Sequence, residues 1–131
     1  MKIFRGRDTS AGPTADPAPV GARMEETAAR HLAAAGLEIV EQNFRTRSGE
    51  IDLIARDGAM LVFVEVRFRR SRAYGGAAAS VDRRKQQKLL AAAASYLQQK
   101  RLDCPCRFDV IAIEGRDGEQ SVDWIKSAFE A

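Results

Sequence analysis

Two acidic residues, Asp52 and Glu65, lie on consecutive segments that alternate apolar and polar residues, EIDLIAR and AMLVFVEVRFR. If the segments pair as a hairpin, Asp52 lies diagonally across from Glu65 at about 7 to 8 Å between Cα atoms, and both carboxylates can reach one cation. Mg²⁺ suits such a pair, because it prefers oxygen ligands and takes its other partners from phosphate and water. The alternative is a surface ion-pair network in which Arg67 and other cations neutralise the acids.

The hairpin that positions these acids is predicted to turn at Asp57-Gly58, a dipeptide that tolerates positive φ. A tight turn there places Ile54 opposite Leu61. The period of two then leaves one face wholly apolar, with Ile51, Leu53, Ala55, Met60, Val62, Val64 and Val66. The other face carries four ionisable groups, Glu50, Asp52, Glu65 and Arg67.

Two predicted helices each place a polar residue on an apolar stripe. The first spans residues 22–35, where Glu25 shares its stripe with Ala28, Ala29 and Leu32. The second runs from Val81 to about Lys100 with Ser80 as its N-cap, and Gln86 lies on its apolar stripe. Both polar groups either project past the end of the core or point into a polar site.

The remaining segments complete a single α/β domain. Strands are predicted at residues 37–44 and 107–114, and residues 121–131 suit either a strand or a terminal helical turn. The order helix, strand, hairpin, helix, strand predicts an α/β sandwich around a mixed sheet. Residues 1–20 contain three prolines and show no periodicity, so we expect a disordered tail and a domain over residues 21–131.

Basic residues concentrate in one stretch of the chain. Residues 65–101 contain ten Lys or Arg and two acids, a charge of +8, whereas the whole chain carries +3. Such a block is expected of a protein that meets polyanions, although a solvated helix face is the alternative. Residues 67–76 also interleave cations with aromatic rings, which suits phosphate contacts and base stacking. The candidate nucleic-acid-binding residues are Arg45, Arg47, Arg69, Arg70, Arg72, Tyr74, Arg83, Arg84, Lys85 and Lys88.

Composition and motifs exclude several classes of protein. The 131 residues contain neither an uncharged apolar run of about 18 residues nor the apolar core of a secretory signal, so we expect a cytoplasmic protein with no membrane span. Cys104 and Cys106 lack the spacing of a zinc site, and the single histidine, His31, excludes a HExxH motif. No P-loop, dinucleotide fingerprint or GxSxG elbow is present, so no small-molecule cofactor is expected.

Glu on a first helix, Asp on a strand and Glu-x-Lys/Arg on the next strand resemble the PD-(D/E)XK nuclease superfamily. The motifs GEIDLIA at residues 49–55 and FVEV at 63–66 resemble more closely the YraN family of bacterial proteins, which is related to archaeal Holliday-junction resolvases. NFR at 43–45, KQ at 85–86 and RFDV at 107–110 add to this resemblance. It covers residues 21–129, nearly all of the chain outside the predicted tail.

The resemblance implies the restriction-endonuclease-like α/β/α sandwich and a Mg²⁺-dependent, structure-directed DNA endonuclease that prefers branched DNA. Glu25, Asp52 and Glu65 would bind Mg²⁺, or Mn²⁺ in its place, and Gln86 would match the helix-borne glutamine of this branch. Related resolvases act as dimers, so the resemblance also implies a homodimer.

One position departs from the superfamily pattern. The usual lysine is Arg67 here, and a guanidinium with a pKa above about 12 stabilises an anionic transition state but does not serve as a general base. Arg67 therefore favours an alternative function, a nucleic-acid-binding module of nuclease fold with little or no activity. A third hypothesis is a scaffold whose basic helix docks on an acidic partner.

Overall fold

The computed structural model describes residues 20–69, 81–115 and 119–130. The two helices are α1 (Val20–Ala34) and α2 (Arg83–Lys100). The five strands are β1 (Glu38–Arg45), β2 (Glu50–Asp57), β3 (Met60–Arg69), β4 (Cys106–Glu114) and β5 (Ser121–Phe129). Several sequence predictions fall outside the described residues, namely almost all of the predicted tail, Arg70, Arg72, Tyr74 and Ser80.

The five strands form one sheet in chain order, β1-β2-β3-β4-β5. Strands β3 and β4 pair in parallel, and the other three pairings are antiparallel. Parallel neighbours require a crossover connection, and α2 lies in that connection. The structure is therefore a mixed α/β fold with an open, mostly antiparallel sheet. The last segment, for which the sequence left strand and helix open, is strand β5.

Each helix covers one face of the sheet. On one face α1 buries Met24, Ala28, Ala29 and Leu32 against apolar residues of β1 to β4. On the other face α2 buries Leu89, Ala92, Ala93 and Tyr96. Successive side chains of β3 point to opposite faces of the sheet, so the strand contributes to both cores. Val62 and Val64 face α1, whereas Leu61 and Phe63 face α2. Neither described helix is both long and apolar enough to cross a membrane.

The hairpin turns at Gly58-Ala59, one residue later than predicted, because Asp57 pairs with Met60. Gly58 has a φ of +62°, which glycine adopts without steric cost. The predicted pairing between β2 and β3 was therefore wrong by two residues. A shift of the pairing by two residues leaves each side chain on its predicted face. If the observed register is continued beyond Leu53 and Val64, Asp52 lies directly opposite Glu65.

Strand β2 changes face at Asp52, so the prediction that Ile51 shares a face with Leu53 was wrong. Leu53 packs beneath α1, whereas Ile51 packs with the core beneath α2. Regular pairing between β2 and β3 ends at Leu53 and Val64. Beyond that point the backbone N–H of Val66 donates to the Asp52 carboxylate at 2.8 Å. The carboxylate therefore takes over a hydrogen bond that the strand ladder no longer provides.

The start of α2 also differs from the prediction. The helix begins at Arg83, and Asp82 is its N-cap, with a carboxylate that accepts from the backbone N–H of Lys85 at 2.9 Å. The predicted start at Val81 was therefore wrong, because Asp82 caps the helix from an extended backbone conformation.

Asp109 on β4 is a buried carboxylate that joins several elements. The Arg107 Nε donates to its two oxygens at 3.1 and 3.2 Å, and the Trp124 Nε1 donates at 2.8 Å. The backbone N–H of Ser127 donates at 3.0 Å where the pairing of β4 with β5 is irregular. Arg107 also reaches Asp57 at the hairpin turn, at 3.0 Å. One carboxylate thus fixes edge strand β5 and, through Arg107, the end of the hairpin.

Replacing this carboxylate should destabilise the fold. Asp109→Ala leaves the half-buried Arg107 guanidinium with Asp57 as its remaining acceptor and leaves the N–H groups of Trp124 and Ser127 without theirs, so we expect a loss of about 3 to 5 kcal/mol in the free energy of unfolding. Urea denaturation measures it. The matched control is Asp123→Ala on exposed β5 surface, expected to change stability by less than about 0.5 kcal/mol. Equal effects of the two substitutions would contradict the structural role of Asp109.

Candidate metal centre

The three predicted metal ligands come together at one end of the sheet. Glu25 comes from the N-terminal half of α1, Asp52 from the start of β2 and Glu65 from the second half of β3. The Asp52 carboxyl group hydrogen-bonds with those of both Glu25 and Glu65. The three groups therefore form a chain with Asp52 in the middle.

Burial raises the pKa of all three carboxyl groups, and desolvation is the largest cause in each case. The pKa of Asp52 is raised to about 6 and that of Glu65 to about 7. Repulsion from the Asp52 charge adds to the rise at Glu65, and repulsion from the Glu25 charge adds to that at Asp52. Close carboxyl groups in a low-dielectric site share protons, so the cluster holds protons near neutral pH.

Two cations contact the same oxygen of Glu65. The Arg67 Nη1 lies 3.0 Å from Glu65 Oε2, and the Lys85 Nζ lies 3.5 Å from it. Sequence reasoning placed Lys85 only on the nucleic-acid surface and missed its contact with the carboxylates. The available signal was its position in the first turn of the helix that follows β3, where the Asp82 cap fixes the backbone.

The oxygens of this cluster suit a hard divalent cation. Glu65 is 3% exposed, and its Oε1 is buried without a hydrogen-bond donor among the described residues. A shared proton or a cation satisfies such an oxygen. Within the described residues no three His, Cys, Asp or Glu side chains form a ready-made metal site. A cation would therefore displace protons from the cluster as it binds.

Asn43 is a site residue that the sequence analysis used only as part of a motif. Its side chain is exposed, and its amide lowers the pKa of the Glu25 carboxyl group. The pairs Gln42 with Leu53 and Phe44 with Ile51 flank it, so it lies opposite Asp52.

Two other predicted groups are not part of the carboxyl cluster. The Gln86 side-chain amide donates to the Val81 carbonyl oxygen at 3.2 Å, at the start of its own helix. This bond completes the helix end, and no hydrogen bond joins Gln86 to the three carboxyl groups among the described residues. Glu50 forms an exposed salt bridge with Arg45 at 3.3 Å instead of facing Glu65.

Two neighbouring surface pockets that share Lys85 and Lys88 lie beside the carboxyl groups, and together they are called the basic cleft. The turn after β1 and Glu50 line one pocket, and Arg67, Asp82 and Arg84 line the other. Gly49 allows the turn to approach α2, because a Cβ there would lie 2.9 Å from the Lys88 carbonyl oxygen. Of the predicted nucleic-acid-binding residues, the cleft is lined by Arg45, Arg47, Arg84, Lys85 and Lys88. The other two described residues, Arg69 and Arg83, lie outside this lining.

Comparison with known proteins places the chain in a family. Residues 24–113, which contain all three acids, match the Uncharacterised protein family UPF0102. The chain belongs to UPF0102. This is the family that the sequence motifs identified as YraN, and nearly all of the UPF0102 match is described by the structure.

Individual UPF0102 proteins are similar to the chain over most of its length. The chain is 54% identical to a UPF0102 protein of Dechloromonas aromatica over 85% of its own length and 88% of that protein. It is 48% identical to one of Pseudomonas savastanoi pv. phaseolicola, covering 85% of the chain and 93% of the relative. The UPF0102 protein of Janthinobacterium sp. (strain Marseille) is 47% identical, with coverage of 85% and 87%.

The raised pKa of Glu65 predicts a pH-dependent stability. The folded state holds a proton that the unfolded state releases above about pH 4.3, so without divalent cations the free energy of unfolding falls as the pH rises toward 7. Glu65→Gln removes the part of this decline that the Glu65 carboxyl group causes. The variant should therefore gain about 1 to 3 kcal/mol relative to the wild type between pH 4.5 and 8, by urea denaturation in EDTA.

The control for this experiment is Glu26→Gln. Glu26 is an exposed acid that pairs with Arg30 at 3.1 Å on the surface of α1. The difference between this control and the wild type should not change with pH over the same range. A Glu65→Gln curve parallel to that of the wild type would contradict the raised pKa.

Proposed function

We propose that this UPF0102 protein is a Mg²⁺-dependent, structure-directed DNA endonuclease that prefers branched DNA. The observation that carries the proposal is the convergence of Glu25, Asp52 and Glu65 beside a cleft lined by basic residues. An acidic cluster alone would suit many cation-binding roles, and a basic cleft alone would suit simple binding. Their juxtaposition matches phosphodiester hydrolysis, which needs a divalent cation and a bound polyanion at one place.

The architecture supports the proposed relation to the PD-(D/E)XK nucleases. A mixed sheet lies between two helices on opposite faces, and the acids come from α1, β2 and β3 in the order of that superfamily's motif. We therefore propose the restriction-endonuclease-like sandwich as its fold class. A homodimer would present two such sites to a two-fold symmetric junction.

Glu25, Asp52 and Glu65 would hold Mg²⁺, with Mn²⁺ as a substitute. The bound cation would polarise the scissile phosphate and lower the pKa of the attacking water. Asp52 is the central ligand of the proposed site, and its bond from the Val66 N–H fixes its orientation. Glu65 would bind the cation as a carboxylate, and Arg67 and Lys85, which contact its Oε2, would offset its negative charge.

Lys85 could replace the lysine that the superfamily usually has where this chain has Arg67. The Lys85 ammonium is a compact charge on a flexible side chain, so it can move from Glu65 toward an anionic phosphate. The Arg67 guanidinium is planar and binds in a more fixed orientation. The cap at Asp82 holds the backbone of Lys85 at the strand end. We therefore propose that Lys85 neutralises the reacting phosphate, while Arg67 keeps Glu65 in place.

Cleavage of labelled DNA tests the function. Four-way junction, flap, single-stranded and linear duplex substrates are incubated with Mg²⁺ or Mn²⁺, and binding is measured separately in Ca²⁺. We expect the wild type to cut branched DNA. Asp52→Asn and Glu65→Gln should cut at least about 100-fold more slowly, because a lost ligand removes several kcal/mol of charge stabilisation.

The binding arm separates the proposed enzyme from its alternative. Asp52→Asn and Glu65→Gln should still bind DNA in Ca²⁺, because the basic cleft is intact. Tight binding with no cleavage by the wild type would replace the nuclease with a nucleic-acid-binding module, the function that Arg67 favours. Absence of both binding and cleavage would reject the two functions together.

Two lysines one helical turn apart distinguish chemistry from binding. Lys85 contacts Glu65, whereas Lys88 is exposed in the cleft. We expect Lys85→Ala to lower kcat about 100-fold, and Lys88→Ala to raise KM and reduce the salt dependence of binding by about one counterion. The control is Lys100→Ala at the far end of α2, expected to match the wild type. Equal kcat values for the Lys85 and Lys88 variants would contradict the role of Lys85.

A further inference from the structure

Among the described residues that line the basic cleft, two are acidic, and only one of them caps a helix. Asp82 lines one pocket, and its carboxylate caps α2 by accepting from the Lys85 backbone N–H at 2.9 Å. Glu50 lines the other pocket, whose four basic residues are Arg45, Arg47, Lys85 and Lys88. A carboxylate among cations that bind phosphate repels the ligand. The position of Glu50 therefore bears on what the cleft binds.

Glu50 forms an ion pair with Arg45 at the base of the turn between β1 and β2. The two residues lie directly opposite each other in the last pair of the β1–β2 register, and the Arg45 Nε lies 3.3 Å from the Glu50 Oε1. Their side chains are 73% and 48% exposed, respectively, so water and salt screen the attraction and the pair contributes little to stability. A phosphate that enters the pocket can compete with Glu50 for the guanidinium, because Arg binds phosphate and carboxylate in the same way.

The turn itself is held by other contacts. The Thr46 backbone N–H donates to the Gly49 carbonyl oxygen at 2.8 Å. The Thr46 hydroxyl oxygen accepts from the backbone N–H groups of Ser48 and Gly49 at 3.0 and 3.2 Å. Gly49 also lies so close to the Lys88 carbonyl oxygen that a Cβ would be 2.9 Å from it. These contacts fix the turn without the ion pair, so Arg45 and Glu50 can separate while the pocket keeps its shape.

We propose that Glu50 is a specificity-determining residue that holds Arg45 away from the phosphates of linear DNA and releases it to those of a branch point. The inference rests on the proposed function, which includes a preference for branched DNA. A linear duplex carries one charge per about 1.7 Å of its axis, and several such backbones converge at a branch point. The denser phosphate charge there competes more strongly for Arg45. A repulsive group gives specificity in this way, by weakening the binding of the wrong partner.

DNA binding by the full chain in Ca²⁺, measured by fluorescence anisotropy at several salt concentrations, tests the inference. For a linear duplex, Glu50→Gln should lower the Kd about three- to tenfold and steepen the salt dependence by about one counterion, because Arg45 gains a phosphate. For a four-way junction the Kd should change by less than about twofold, because Arg45 already contacts phosphate there. The preference for the junction over the linear duplex therefore falls in the variant.

Two further variants separate the release of Arg45 from a general change of charge. Glu26→Gln removes the same charge from another exposed ion pair, with Arg30 at 3.1 Å on α1, and should leave both Kd values unchanged. In the Arg45→Ala background, Glu50→Gln should no longer tighten the binding of linear duplex. Thermal unfolding checks the fold, and Glu50→Gln should have the Tm of the wild type because the pair is exposed.

The outcomes distinguish this inference from the proposed function. A wild type that prefers the junction, with the same preference in Glu50→Gln, overturns the role of Glu50 and leaves the proposed function intact. A gain in affinity that persists without Arg45, or that Glu26→Gln reproduces, also overturns it. A wild type that binds no DNA, or that binds linear and branched DNA equally, overturns the proposed preference for branched DNA, and the inference with it.

Discussion

The hydrogen bond from the Val66 backbone N–H to the Asp52 carboxylate is the interaction on which the site depends. Buried backbone N–H groups need an acceptor, and at this point β2 no longer offers a carbonyl to β3. Asp52 provides the acceptor only by turning its carboxylate into the gap between the strands. The same turn moves Ile51 to the opposite core and sets Asp52 between the acids of α1 and β3. A break in strand pairing thus becomes a place for three carboxyl groups.

The cluster is costly for the folded state, and the surrounding structure offsets that cost. Three acids desolvated together repel one another, and two basic side chains beside Glu65 relieve only part of this repulsion. Stability comes from elsewhere: apolar cores on both faces of the sheet and the buried network around Asp109. Sites that perform chemistry commonly weaken the fold that carries them.

The periodicity of the sequence predicted the helices and strands and the three acids of the cluster. It did not predict the exact strand register or the conformations and contacts of single residues. An acid on the apolar stripe of the first helix marked Glu25, and alternation along the hairpin marked Asp52 and Glu65. The turn was misplaced because a slip of two residues preserves every alternation. Asn43 was missed because one left-handed residue leaves no periodic signal. The contact of Lys85 was missed because a run of basic residues does not show which of them faces a strand.

The parallel pairing of β3 with β4 sets an order in which the parts of the centre become available. Glu25, Asp52 and Glu65 all lie on α1, β2 and β3, elements that follow one another through short connections. The pairing of β4 must instead close the chain from Arg69 to Cys106, and longer closures cost more entropy and form more slowly. The helix that carries Lys85 lies within this late closure. During synthesis on the ribosome the three acids therefore emerge together with Arg67 and before Lys85, so Arg67 is the first of the two cations available to Glu65.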